Sequence, residues 1–172
     1  MAAGIIEIPN SRSTSFNHGA LDPETRRVFI AHTARDCLEV VDADTNRHLA
    51  TLQGFPGAAG VVADKGNVLV TNRGGASLSL VDAHTLETRT VLRTGPRPNG
   101  VAIVSSLQLA VVACIGDETH KPRLQVLGLE GIGNGPSTFP GGPAGVSSMR
   151  KRNECSSRSA NLPWCWLPDC LG

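Results

Sequence analysis

The residues best suited to chemistry in this chain are few and scattered. A GDETH run, Gly116 to His120, sets the carboxylates of Asp117 and Glu118 beside the imidazole of His120. Adjacent acid and imidazole groups on a loop can hold a cation or move a proton. A solvated loop of more than average length explains them as well. His32 closes one apolar run, VFIAH, and Asn72 closes a second, VLVTN, 40 residues later. His18 and Asn99 each precede a glycine, in HG and in PNG. PNG is also an ordinary turn sequence, in which Asn and Gly serve positive φ. No G-x-S-x-G elbow, Gly-rich phosphate loop or H-E-x-x-H motif occurs. GLEGIGNG is rich in glycine but lacks the strand-then-helix context of a dinucleotide site. No catalytic residue can be assigned, no cofactor is expected from motifs, and the reading leans against an enzyme.

Composition narrows the partners. The 16 basic and 15 acidic residues nearly cancel, so neither a nucleic acid nor an anionic membrane surface is expected as a partner. Arg150-Lys151-Arg152 is the one basic cluster and reads as a solvated tail. No apolar run approaches the roughly 20 residues of a membrane helix. Glu7 and Pro9 interrupt the place where the apolar part of a signal peptide would run, so a cytoplasmic chain with reduced thiols is expected. Five cysteines, at 37, 114, 155, 165 and 170, have neither the parity nor the spacing of a disulfide framework or a zinc knuckle.

The elements that must position these residues repeat. RVFIAHTARDCLEVVDADTNRHLATL, from Arg27 to Leu52, matches NVLVTNRGGASLSLVDAHTLETRTVL, from Asn67 to Leu92, at a spacing of 40. Such a period marks a unit that cannot bury its apolar face alone. VFIAH and VLVTN suit strands buried on both faces. The turns TARD and RGGA follow, and the glycines of RGGA are expected to supply positive φ. CLEVVD and SLSLVD alternate apolar and polar residues, the signal of a half-exposed strand. Asp42 and Asp82 are placed to accept backbone N–H groups in the next turn. RHLATL and TRTVL read as edge strands. NHGALD, from Asn17 to Asp22, is an earlier partial copy, and a third unit opens at Gly100. The period stops after Gly131.

Four short strands per unit of about 40 residues is the pattern of a propeller blade. LVTN at Leu69 to Asn72, LSLVDAHTLE at Leu78 to Glu87 and TGPRPNGVAI at Thr94 to Ile103 together resemble the YVTN-type β-propeller repeat. Leu69 stands where that family has Tyr, and the first and third units depart further. The resemblance implies an all-β fold: an incomplete β-propeller of about three four-stranded antiparallel blades, with a disordered C-terminal tail. It divides the chain into an N-terminal extension (1–14), propeller repeats (15–131) and a Gly/Pro-rich tail (132–172). Complete members close seven blades, which at this period takes about 280 residues. Three explanations of the shortfall stand open: a truncated or frame-disrupted propeller, a ring assembled from several copies through open blade edges, or a fragment whose edges its own tail covers.

For function the resemblance implies a binding scaffold for a protein or small-molecule ligand. The alternative is the remnant of a lactonase or hydrolase-type propeller. PNG-x-A is similar to a segment of the gluconolactonase group, where an Asn before the inner strand helps bind a divalent cation in the channel. On that resemblance Asn99 with Asp117 or Glu118 would form part of a Ca²⁺ site, since calcium takes oxygen ligands. His18, His32, Asn72 and His120 would be further channel or loop residues.

Overall fold

The computed structural model describes residues 4–9 and 15–129. Eleven strands follow one another as antiparallel meanders in three sheets. The first holds β1 (Gly19–Asp22), β2 (Arg27–His32), β3 (Cys37–Asp42) and β4 (Arg47–Gln53). The second holds β5 (Ala58–Asp64), β6 (Asn67–Asn72), β7 (Ser77–Asp82) and β8 (Thr88–Arg93). The third holds β9 (Pro98–Val104), β10 (Leu109–Cys114) and β11 (Arg123–Gly128). With three strands among the described residues, against four in each of the others, it is a partial blade. No helix of the described residues is long and apolar enough to cross a membrane.

The sheets stack as propeller blades. Alternation along each strand sends successive side chains to opposite faces. Phe29, Ala31, Leu38 and Val40 of the first blade therefore meet Val68, Val70 and Val81 of the second in one core. Leu69, Leu78 and Leu80, on the other face of the second blade, meet Ala110 and Val112 of the third in another. The inner strands run side by side. His18 N donates to Ala59 O at 3.2 Å and Thr71 Oγ1 to Asn99 O at 2.7 Å. A Cβ on Gly60 would lie 2.1 Å from Asn99 O, so this approach of two backbones requires glycine.

Two outer faces remain. Leu124 and Val126, on the face of the third blade turned from the second, are 73% and 60% exposed. The outward face of the first blade, the opposite one in the repeat, is covered instead by N-terminal residues. Ile6, Ile8 and Phe16 lie over Val28, Ile30 and Val41 and line with them a half-open space of about 380 Å³.

The turns at Asp42 and Asp82 form as the sequence implies. Asp42 Oδ1 accepts the N–H groups of Asp44 and Thr45 at 3.0 and 2.7 Å. Asp82 Oδ1 accepts those of His84 and Thr85 at 2.7 and 3.0 Å. Three local readings are corrected. In RGGA the positive φ falls on Ala76, at 45°, and not on the glycines. Those glycines make room for a neighbouring loop, since a Cβ on Gly75 would meet Pro56 Cγ at 3.0 Å. PNG is no turn: Arg97 takes the left-handed conformation, φ 51°, and Pro98, Asn99 and Gly100 open β9. Finally, CLEVVD and SLSLVD are not half-exposed, for every residue from Cys37 to Val41 and from Ser77 to Asp82 is buried. Their polar faces are pressed under a neighbouring blade or the N-terminal segment, which period-2 alternation does not reveal.

Candidate functional site

The residues singled out by sequence separate into several places. His18 is exposed ahead of β1. Gly19 pairs with Ile30, Val61 with Val70 and Val101 with Val112. Counting back one residue sets His18 level with Gly60 and Gly100, so Asn17, not His18, matches Asn99. Asn99 Oδ1 accepts a hydrogen bond from Arg73 Nη2. Asp117 and His120 do come together, at 2.9 Å, but as an exposed loop closed on itself. Asp117 Oδ1 accepts the N–H groups of Thr119 and His120 at 2.9 and 2.8 Å. The His120 and Thr119 hydrogen bonds hold the Asp117 carboxyl well below its usual range. Glu118 is exposed. No hydrogen bond among the described residues joins Asn99 to Asp117 or Glu118.

His32 and Asn72 prove equivalent in structure as in sequence. Each ends the second strand of its blade, is buried, and points at the polar face of the third strand. Asn72 Nδ2 donates to Ser77 Oγ at 3.0 Å and to Ser79 Oγ at 2.8 Å. The first blade builds the same place from ionisable groups. His32 pairs across the hairpin with Cys37, and Glu39 follows two residues on, so all three share one face. Thr51 pairs with Glu39 from β4. A bulge between Val40 and Val41 sets His48 opposite Val41, where simple alternation would put Leu49. His48 thereby joins the Glu39 face.

The result is a fully buried carboxylate among four donors. Glu39 Oε1 lies 2.7 Å from His32 Nδ1 and accepts from Cys37 Sγ at 3.4 Å. Glu39 Oε2 lies 2.8 Å from His48 Nε2 and accepts from Thr51 Oγ1 at 2.6 Å. Burial alone would raise the Glu39 carboxyl, but hydrogen bonds from Thr51, His32, His48 and Cys37 outweigh it and bring it down to about 2. Burial first, and the hydrogen bond to Glu39 second, push the Cys37 thiol up to about 12. His32 Nε2 has no hydrogen-bond partner among the described residues, and Phe16 covers the ring with centroids 4.3 Å apart.

Sequence reasoning found one member of this cluster, His32, and missed Cys37, Glu39 and His48. The signal available was the C-x-E spacing on a strand that follows a histidine-ended strand. Alternation turned it into a solvent-facing pattern. A buried carboxylate between imidazoles can ligate a cation or orient and charge an imidazole.

Solved structures share the architecture. Hydrazine synthase of Kuenenia stuttgartiensis superposes with a TM-score of 0.55 at 20% identity, over 63% of this chain and 32% of that one. The β-propeller domain of Cps50 (Swd1) from Myceliophteria thermophila superposes with a TM-score of 0.54 at 13% identity, over 68% of this chain and 40% of that one. The chain thus has the β-propeller fold and spans less than half the length of either. No protein-family model and no curated protein matches it.

Proposed function

We propose that these blades belong to a YVTN-type β-propeller that works as a binding scaffold, and that the outer face of the third blade is where it is engaged. The observation that carries this reading is the exposure of Leu124 and Val126 on a blade face whose counterparts elsewhere are covered. Contiguous apolar surface on a sheet face marks an interaction site. The polar groups of the loop ends are meanwhile taken up internally, as Arg73 with Asn99 and Asp117 with His120. The partner most consistent with such a face is another propeller blade, supplied by a second copy of this chain.

Sedimentation of the chain over about 1–100 μM, where weak interfaces dissociate, tests this. The expected result is concentration-dependent association that Leu124→Lys with Val126→Lys abolishes. A chain that stays monomeric throughout, or associates equally well with both lysines, overturns it.

The lactonase-type alternative needs a divalent cation at Asn99. Arg73 weighs against it, because its guanidinium occupies Asn99 Oδ1 and places a positive charge where the cation would bind. A melting temperature raised by Ca²⁺ in the native chain and indifferent to it in Asn99→Ala would restore that alternative.

A further inference from the structure

We propose that His32, Cys37 and Glu39 form a Zn²⁺ site on the outer face of the first blade, with His48 and Thr51 positioning the Glu39 carboxylate. One ligand atom from each of the three lies within 4.8 Å of the others, and all three side chains are buried. Bonds of about 2.0–2.3 Å at tetrahedral angles separate zinc ligand atoms by about 3.4–3.6 Å. Cys37 to Glu39, at 3.4 Å, already meets that spacing, and His32 to Glu39, hydrogen-bonded at 2.7 Å, must open by just under about 1 Å to admit the ion. Small side-chain rotations suffice, and the backbone register already fixes the three residues on one face.

The donor set points to the metal. One imidazole nitrogen, one thiolate and one carboxylate oxygen suit zinc rather than calcium or magnesium, which take oxygen alone. Charge points the same way. A thiolate and a carboxylate balance the two charges of Zn²⁺ with the imidazole neutral, leaving the buried cluster without net charge. Glu39 is built as a ligand with one oxygen to spare. Oε1 faces His32 and Cys37, while Oε2 is held by His48 and Thr51, the arrangement that orients metal-bound carboxylates. Three protein ligands leave the fourth corner of the tetrahedron to a water.

The second blade shows what the same place looks like without such a set. Asn72, Ser77 and Ser79 replace His32, Cys37 and Glu39 at equivalent register positions, and neutral hydrogen bonds fill the space. The first blade therefore departs from its own repeat at three coordinated positions.

The test uses the full chain with Cys114→Ala, Cys155→Ser, Cys165→Ser and Cys170→Ser, so that Cys37 is the sole thiol. The chain is stripped with chelator and titrated with Co²⁺, then with Zn²⁺. One equivalent of Co²⁺ should produce a near-ultraviolet thiolate charge-transfer band and strong visible bands of four-coordinate cobalt, both displaced by Zn²⁺. Cys37→Ser in that background should lose the near-ultraviolet band. His48→Ala should keep it and weaken binding about 10–100-fold, as loss of a group that orients a ligand does. No band in a folded chain, or a band that survives Cys37→Ser, overturns the proposal. Should the single-thiol chain fail to fold, imidazole resonances decide on the unsubstituted chain. Those of His32 and His48 shift at saturating Zn²⁺, or the site does not exist.

Discussion

Two carboxylates among the described residues are buried completely, and they are compensated differently. Glu39 gathers imidazoles, a hydroxyl and a thiol within one blade. Asp22 ties two blades together: its Oδ2 accepts from Thr25 N and Oγ1 at 2.9 and 2.7 Å, and its Oδ1 from Gly66 N at 3.1 Å. Burial alone would raise the Asp22 carboxyl. The Thr25 and Gly66 hydrogen bonds and the nearby His84 bring it below its ordinary value instead. A carboxyl depressed on folding adds stability that is complete above its unfolded value, about 3.9, and is lost as pH falls through the lower folded value. Asp22→Asn should therefore be less stable than the native chain near neutrality, and the two stabilities should converge as pH falls below about 4. Urea unfolding from pH 6 to pH 2 checks this; a gap that stays constant would show that Asp22 carries no linked proton.

At the scale of elements, inner strands and bulges decide the geometry. β5 and β9 approach so closely that only hydrogen fits at Gly60. Gly60→Ala should cost about 1–3 kcal/mol by forcing the second and third blades apart, measured by denaturant unfolding. Gly100, its equivalent in the third blade, would place a Cβ no nearer than 3.8 Å to Ala113, so Gly100→Ala should cost less and serves as the control. The strands themselves were legible: VFIAH, VLVTN and the aspartates that end CLEVVD and SLSLVD all form the expected strands and turns. What alternation could not say was which face would be covered. It gives two faces to every strand, and stacking between neighbours buries both. Glu39 and Ser79 thus looked like solvent positions in sequence and are buried in the fold.

At the scale of the whole molecule, the outer faces matter most. A propeller normally removes exposed blade faces by closing its ring. Here Phe16, with Ile6 and Ile8, occupies the place of a preceding blade over Val28, Ile30 and Val41 and caps the His32 ring. Phe16 is 47% exposed, so Phe16→Ala should cost about 1 kcal/mol, the value of a half-buried ring. Equilibrium unfolding measures it. Faster hydrogen exchange at β2 and β3 than at β6 and β7 should accompany the loss, and uniform exchange across both blades would show that the segment does not protect the first blade.

The sequence by itself determined the repeat, the strand order within each unit, the aspartate turns and the all-β class, because these follow from local periodicity and turn chemistry. It also marked His32 and Asn72 as equivalent. Only the tertiary structure decided what those two residues meet, which strand faces are covered, and that a bulge carries His48 to Glu39. Those outcomes depend on register and on contacts between segments far apart in sequence, and a one-residue shift in pairing moves a side chain to the opposite face. Local pattern names the strands; neighbouring strands and blades decide which of their polar residues share a buried site.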